Sequence, residues 1–223
     1  MKLLIPGVCE TLDLVDELSI LKIENHKIFS NLIQDILIQM NGERGQTILS
    51  ENDKKIEIKS KVKLMLDVFD NNRLTKETST SLLKYLVKLS YIHYSKELFE
   101  TNRLLFDSLY KIILNCPYTL MYRDNVDLSY LLKAYDVRLC LDSENQIDNL
   151  INYMEFVSGV DQVKLFVIVN FCTFFDEVDF NYFIKMLKYK KLNVLFLEGN
   201  SNVPYTTSIQ IPVRVIDSDL CLL

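Results

Sequence analysis

Apolar and polar positions alternate from Leu18 to Glu24 (L-S-I-L-K-I-E), and the run stops at a polar turn, Asn25-His26-Lys27. From Ile28 to Met40 the spacing changes, with Ile28, Phe29, Leu32, Ile33, Ile36 and Leu37 recurring at helical intervals. Such a change of period predicts a strand, a short loop and a helix. Asn41-Gly42-Glu43-Arg44-Gly45 breaks the pattern. Ile56 to Leu64 (I-E-I-K-S-K-V-K-L) then reads as one half-exposed strand. Ile56, Ile58, Ser60, Val62 and Leu64 form its inner face, and Glu57, Lys59, Lys61 and Lys63 its outer face.

Thr78 to Leu114 contains no Gly or Pro, and Leu98, Leu105, Leu109 and Ile112 recur at helical spacing. Pro117 closes this long helical region, and a shorter helix is expected over roughly Val126 to Tyr135, returning as a helical hairpin. Ser143 to Val157 predicts a helix with Ser143 and Gln146 as a capping box and Gly159 on its C-terminal side. Val163 to Phe171 is almost continuously apolar, as a strand of a buried parallel sheet must be. A helix around Glu177 to Lys188 and a second buried strand, Leu192 to Leu197, complete a βαβ unit. The tail adds expected strands at Ile209 to Val215 and near Leu220 to Leu223. The fold class is therefore α/β: a head built from residues 1–72 and 143–223, interrupted by a helical leg over 73–142.

Composition narrows the function classes. Five Gly and four Pro in 223 residues leave little room for glycine-rich phosphate loops. Lys and Arg number 25 against 30 Asp and Glu, a net charge of −5, so nucleic-acid binding would need lysines gathered locally. Cys9, Cys116, Cys140, Cys172 and Cys221 show no C-x-x-C spacing, and His26 and His93 are the only histidines. No zinc-ligand spacing results, and reduced, mostly buried thiols of a cytoplasmic protein are expected. Met1 to Glu10 lacks the apolar core of a signal peptide, and no apolar run is long enough for a membrane span.

The strand, loop and helix at Leu18 to Met40 stand where a phosphate-binding loop would stand. Lys27 and Ser30 are present, but the loop has no glycine, and the strand ending at Asn170 lacks a terminal carboxylate. A nucleotide-hydrolysing enzyme is the alternative this arrangement keeps open, and a pure protein-interaction adaptor is another. His26 and His93 have no accompanying nucleophile and read as a turn residue and a helix residue. Lys59, Lys61 and Lys63, about 7 Å apart on one strand face, with Lys54 and Lys55 extending the stripe, would meet successive phosphates of a DNA strand. A solvated edge strand guarded by lysines explains the same pattern. Lys185, Lys188, Lys190 and Lys191 are accounted for by the dipole at a helix C-terminus. Asp124 and Asp127 would offer oxygens to calcium, but no EF-hand pattern surrounds them and helix capping suits them as well.

Four segments together resemble one family. Leu18 to Glu24 followed by Ile28-Phe29-Ser30, the apolar strand Leu165 to Asn170, Val194-Leu195-Phe196-Leu197-Glu198, and the ending Val215-Ile216-Asp217-Ser218-Asp219 are similar in order and spacing to the Csn-two family of type II-A CRISPR systems. The resemblance implies a degenerate P-loop-like α/β head with an inserted helical leg and no catalytic activity. It implies a ring-shaped homotetramer that binds double-stranded DNA at its ends during spacer acquisition, with the integrase proteins and the RNA-guided nuclease of the same system as partners. It gives the lysines from Lys54 to Lys63 the role of lining the ring. It also implies calcium bound by acidic residues near the junction of head and leg. Cys116 to Asp127 (C-P-Y-T-L-M-Y-R-D-N-V-D) carries fewer carboxylates than the family there. Asp124 is the position kept, so calcium is expected to bind weakly or not at all.

Overall fold

The computed structural model describes residues 1–8, 11–14, 18–199 and 211–219. The chain divides into two compact units, Met1–Asn71 with Leu141–Leu223, and Asn72–Cys140.

The first unit is organised by a five-stranded parallel sheet. Its strands are β3 (Leu18–Ile23), β6 (Val62–Met65), β7 (Leu165–Val169), β8 (Val194–Glu198) and β9 (Val213–Ile216), in the order β6-β7-β8-β3-β9. All its pairings are parallel, and β7 and β8 are buried at every residue. Both faces are therefore covered. Leu165, Val167 and Val169 of β7 and Leu195 and Leu197 of β8 share a core with α1 (His26–Met40), through Leu32 and Ile36. A four-stranded antiparallel sheet joins the same core. It comprises β1 (Lys2–Leu4), β2 (Leu12–Asp13), β4 (Ile48–Glu51) and β5 (Lys54–Ile56), in the order β2-β1-β4-β5. On the other face Phe196 meets Phe180 and Phe183 of α8 (Glu177–Lys190), which packs against α6 (Gln146–Val160). Each fully buried Phe or Leu contributes about 1.5–3 kcal/mol of transfer free energy.

Four local expectations are corrected. Ile56 to Leu64 is not one strand: β5 ends at Ile56, α2 (Ile58–Lys61) is a single helical turn, and β6 begins at Val62. Ile58 is buried from the helical turn and Val62 from the first position of β6, while Ser60 is exposed. The alternating pattern is thus shared by a strand and by one helical turn set between two strands. The N-cap of α6 is Asn145, whose side chain accepts from Ile147 N at 2.9 Å. Ser143 lies further out and accepts from Asn145 N at 3.2 Å. Gly159 lies inside α6, and the left-handed residue after the helix is Gln162, φ 57°. Among the described cysteines, Cys140 is exposed and Cys116 and Cys172 are half-buried, so these thiols are not core residues. Residues 209–210 and 220–223, where the tail strands were expected to begin and end, lie outside the described residues.

In the second unit, α3 (Asn71–His93, its first residue in the first unit) meets α4 (Ser95–Leu114) at Tyr94. Helical hydrogen bonding runs through the joint, from Tyr94 N to Ser90 O and from Leu98 N to Tyr94 O. The chain then returns: Tyr122 touches Phe106 and Tyr110 of α4, and residues of α3 together with Asp127 and α5 (Leu128–Ala134) line an apolar groove of about 660 Å³. No helix among the described residues is long and apolar enough to cross a membrane.

Two side chains at the start of α6 carry different loads. Asn149, 1% exposed, holds Ser143 reciprocally: its Oδ1 accepts from Ser143 N and its Nδ2 donates to Ser143 O, both at 2.9 Å. Asn149→Ala orphans a part-buried backbone N–H and C=O and is expected to destabilise by about 1–3 kcal/mol. Asn145→Ala removes one cap, at about 1 kcal/mol. Thermal or urea melts of the two variants test the ranking, and equal loss would contradict it.

Candidate nucleic-acid interface

In a parallel sheet all strands begin at one edge, and here lysines stand at that edge. Lys61 and Lys164 immediately precede β6 and β7, and Lys191, the C-cap of α8, leads into β8. Backbone bonds hold this row in place. Lys164 N donates to Lys61 O at 2.8 Å, Asn193 Nδ2 donates to Lys164 O at 3.0 Å, and Lys61 Nζ donates to Gln162 O at 3.3 Å. Helices α1 and α8 run antiparallel to the strands they follow, so their C-termini return to the same edge. Lys188 and Lys190 occupy the last turn of α8. Helix α1 has no basic residue in its last turn, and Lys59 Nζ instead leans over Gly42, where an added Cβ would lie 2.8 Å from it. Gly42 has φ 91°, a left-handed conformation that a side chain would strain.

The structure thus separates the lysines singled out from the sequence. Lys54 and Lys55 are exposed on β5, the outer strand of the antiparallel sheet, beyond a two-residue turn at Asn52 and Asp53 with φ 50° and 59°. Lys59 and Lys61 sit on the α2 turn, where residues two apart point in widely different directions. Lys63 is half-buried in β6, opposite Phe166 and on the other face of the sheet from Val62 and Leu64. There is no single stripe with a strand's repeat. Lys59 and Lys61 instead join Lys164, Lys188, Lys190 and Lys191 at the starting edge. The sequence reading missed Lys164 and set the α8 lysines aside. A readable signal was a lysine just before each buried run, in Lys61-Val62, Lys164-Leu165 and Lys191-Leu192.

Two acidic groups at this edge pair with its lysines. Glu51 pairs with Lys164, whose ammonium holds the Glu51 carboxyl below the usual range. Glu155 pairs with Lys190 at 2.7 Å. Exposed pairs of this kind are worth about 0–1 kcal/mol, so a phosphate can replace either carboxylate at little cost. At the opposite edge, where the strands end, stand Asp67, Asp70, Asp176, Glu177 and the fully buried Glu198. Lys22 at that edge is matched by Glu24 at 3.5 Å.

The ending edge also holds the position of a phosphate loop. Asn25 caps α1, its Oδ1 accepting from Lys27 N at 3.0 Å and Ile28 N at 3.2 Å. Two amides that a phosphate would require are already bonded. Asn170 is left-handed, φ 54°, and its Oδ1 accepts from Gly199 N at 3.0 Å. Glu198 Oε1 accepts from Cys172 N at 3.1 Å, and burial and this carboxylate raise the Cys172 thiol far above its ordinary value. His26 and His93 are both exposed.

Asp124 and Asp127 lie in the second unit. Asp127 caps α5, Oδ1 accepting from Ser129 N at 2.7 Å, and this bond lowers its carboxyl. Among the described residues no three His, Cys, Asp or Glu side chains gather as a metal-ligand group. Calcium takes six to eight oxygens, and the capping bond from Ser129 N already engages one oxygen of Asp127. Calcium is expected to leave the melting midpoint unchanged. A rise abolished by Asp124→Ala would show that a site had been missed.

No curated protein matches the sequence. Residues 39–220, most of the chain, match the family model Cas_Csn2, CRISPR-associated protein, and the chain therefore belongs to the Cas_Csn2 family of CRISPR-associated proteins.

Proposed function

We propose that this protein is a non-catalytic, sequence-independent binder of double-stranded DNA that serves spacer acquisition as a ring-shaped homotetramer. The observation that carries the reading is the row of lysines at the starting edge of the parallel sheet, in a chain whose net charge is −5. These are point charges suited to phosphates, and among the described residues the edge presents no helix of Arg, Asn and Gln side chains to read base edges. The capped N-terminus of α1 and the glycine-free loop favour a binder over a nucleotide hydrolase. Membership of a CRISPR-associated family supports partners from the same system, and the integrase proteins and the RNA-guided nuclease, in the cytoplasm, are the ones proposed. Self-assembly is favoured by α4, which has no buried residue in 20. Phe99, Leu104, Ile112 and Leu114 are each more than 60% exposed, apolar area on several sides of α4 that packing among copies would cover.

Two outcomes are expected. Linear duplex binds, covalently closed circles of the same sequence bind poorly, and affinity falls steeply with salt. Lys59→Ala, Lys61→Ala and Lys164→Ala together lower the slope of log affinity against log salt by about 0.9 for every phosphate left without its lysine. Lys27→Ala, at the other edge, leaves it unchanged. An unaltered slope in the triple variant removes the edge from the interface, and equal binding of closed circles removes threading. Sedimentation at protein concentrations on the order of tens of micromolar should give the mass of an oligomer. Phe99→Asp with Ile112→Asp should shift it toward the monomer, and a wild-type monomer would refute the assembly.

A further inference from the structure

The ending edge of the parallel sheet carries a surface that DNA binding leaves unused. Phe69, in the loop after β6, and Phe174, in the short helix α7 (Phe171–Phe174) after β7, are 51% and 53% exposed, and Leu66 is 45% exposed. The two rings meet edge to face at 5.5 Å. They are not loose side chains. Phe69 stacks on Phe175 at 5.6 Å, Phe175 on Phe171 at 4.4 Å, and Phe171 on Phe183 at 4.8 Å, all within 20° of parallel. Phe171 and Phe183 are fully buried, so the exposed rings form the outer end of an aromatic column rooted in the core.

The loop is fixed as well. Asp67 Oδ1 accepts from Phe69 N at 2.8 Å, and Asp176, which follows Phe174 and Phe175, caps α8 through Asp179 N at 2.9 Å. The Gln146 amide donates to Val68 O and exchanges two bonds with Asn71 at 2.9 and 3.1 Å. A rigid, half-exposed aromatic pair loses little entropy on binding, which is the property of an interface anchor.

The charge around it selects the occupant. Asp67 and Asp70 flank Phe69, and Asp176 and Glu177 follow Phe175; all four are exposed. Four carboxylates beside an apolar platform repel nucleic acid and favour a cationic segment. We propose that this face docks a Lys- or Arg-rich segment of another protein, anchored by an aromatic or large aliphatic side chain lying on Phe69 and Phe174. This chain's own segment 200–210 (N-S-N-V-P-Y-T-T-S-I-Q) contains no cation. The cationic aromatic segment of a second copy, Lys188 to Lys191, is the other candidate occupant, and the oligomer mass measured in the test below separates it from a different protein. The docking face is at the opposite edge from the lysines, and it stands or falls independently of the DNA reading.

The test uses the full chain and a fluorescent peptide of alternating arginine and tryptophan, with a glutamate–tryptophan peptide as control. The wild-type protein should bind the first and not the second. Phe69→Ser with Phe174→Ser, and separately Asp70→Lys with Glu177→Lys, should each weaken binding by about tenfold or more, with cooperative melts retained. The second pair leaves the aromatic column intact, so misfolding of the first variant would not decide the matter. Equal binding of both peptides, or undiminished affinity in the charge variant, overturns the proposal. So does a phenylalanine variant that keeps peptide affinity but loses oligomer mass, because that outcome assigns the face to self-association.

Discussion

Burial of β7 and β8 on both faces is the constraint from which the head follows. A strand with no exposed residue satisfies its backbone only through neighbouring strands, and its side chains only through a layer on each face. Here the layers are α1 with the small antiparallel sheet on one side, and α6 with α8 on the other. The alternation within β7 sorts the partners: Leu165, Val167 and Val169 face the first layer, and Phe166 and Ile168 the second. The phenylalanine cluster around Phe171, Phe180, Phe183 and Phe196 fills the second interface with edge and stacked ring pairs that add to area burial.

A parallel sheet also has a direction, and the charges follow it. Helices α1 and α8 return to the starting edge with their carbonyl ends and collect lysines there, while the N-terminus of α8 collects Asp176, Glu177 and Asp179 at the ending edge. Dipole compensation alone accounts for Lys188 and Lys190. It does not account for Lys61 and Lys164, which belong to no long helix and sit at strand starts. An acidic chain thereby acquires a basic edge and an acidic edge, two surfaces with opposite preferences separated by the length of the strands.

The second unit is held by much less. Its buried side chains are few, among them Leu74, Thr78 and Ser90, and α4 buries none. Its order comes from helical hydrogen bonds carried through Tyr94, the Phe106, Tyr110 and Tyr122 cluster, and the cap of α5 by Asp127.

The sequence by itself determined the elements whose pattern is set by burial: the strand at Leu18, the apolar strands β7 and β8, the amphipathic helix at Ile28 to Met40 ahead of the Asn41-Gly42 break, and the Gly-free, Pro-free helices ended before Pro117. Long or fully buried periodic runs leave one solution. It did not determine Ile56 to Leu64, because period two over a few residues is also satisfied by two strands with one helical turn between them. Nor did it locate the cap of α6, where Ser143 and Asn145 are both good caps and only the grip of Asn149 on Ser143 decides. Tertiary structure alone brought Lys59, Lys61 and Lys164 to one edge, since residues about 100 positions apart become neighbours only through the parallel pairing of β6 with β7. For the same reason Phe69 and Phe174 could be seen as one platform only after the sheet had placed the ends of β6 and β7 side by side.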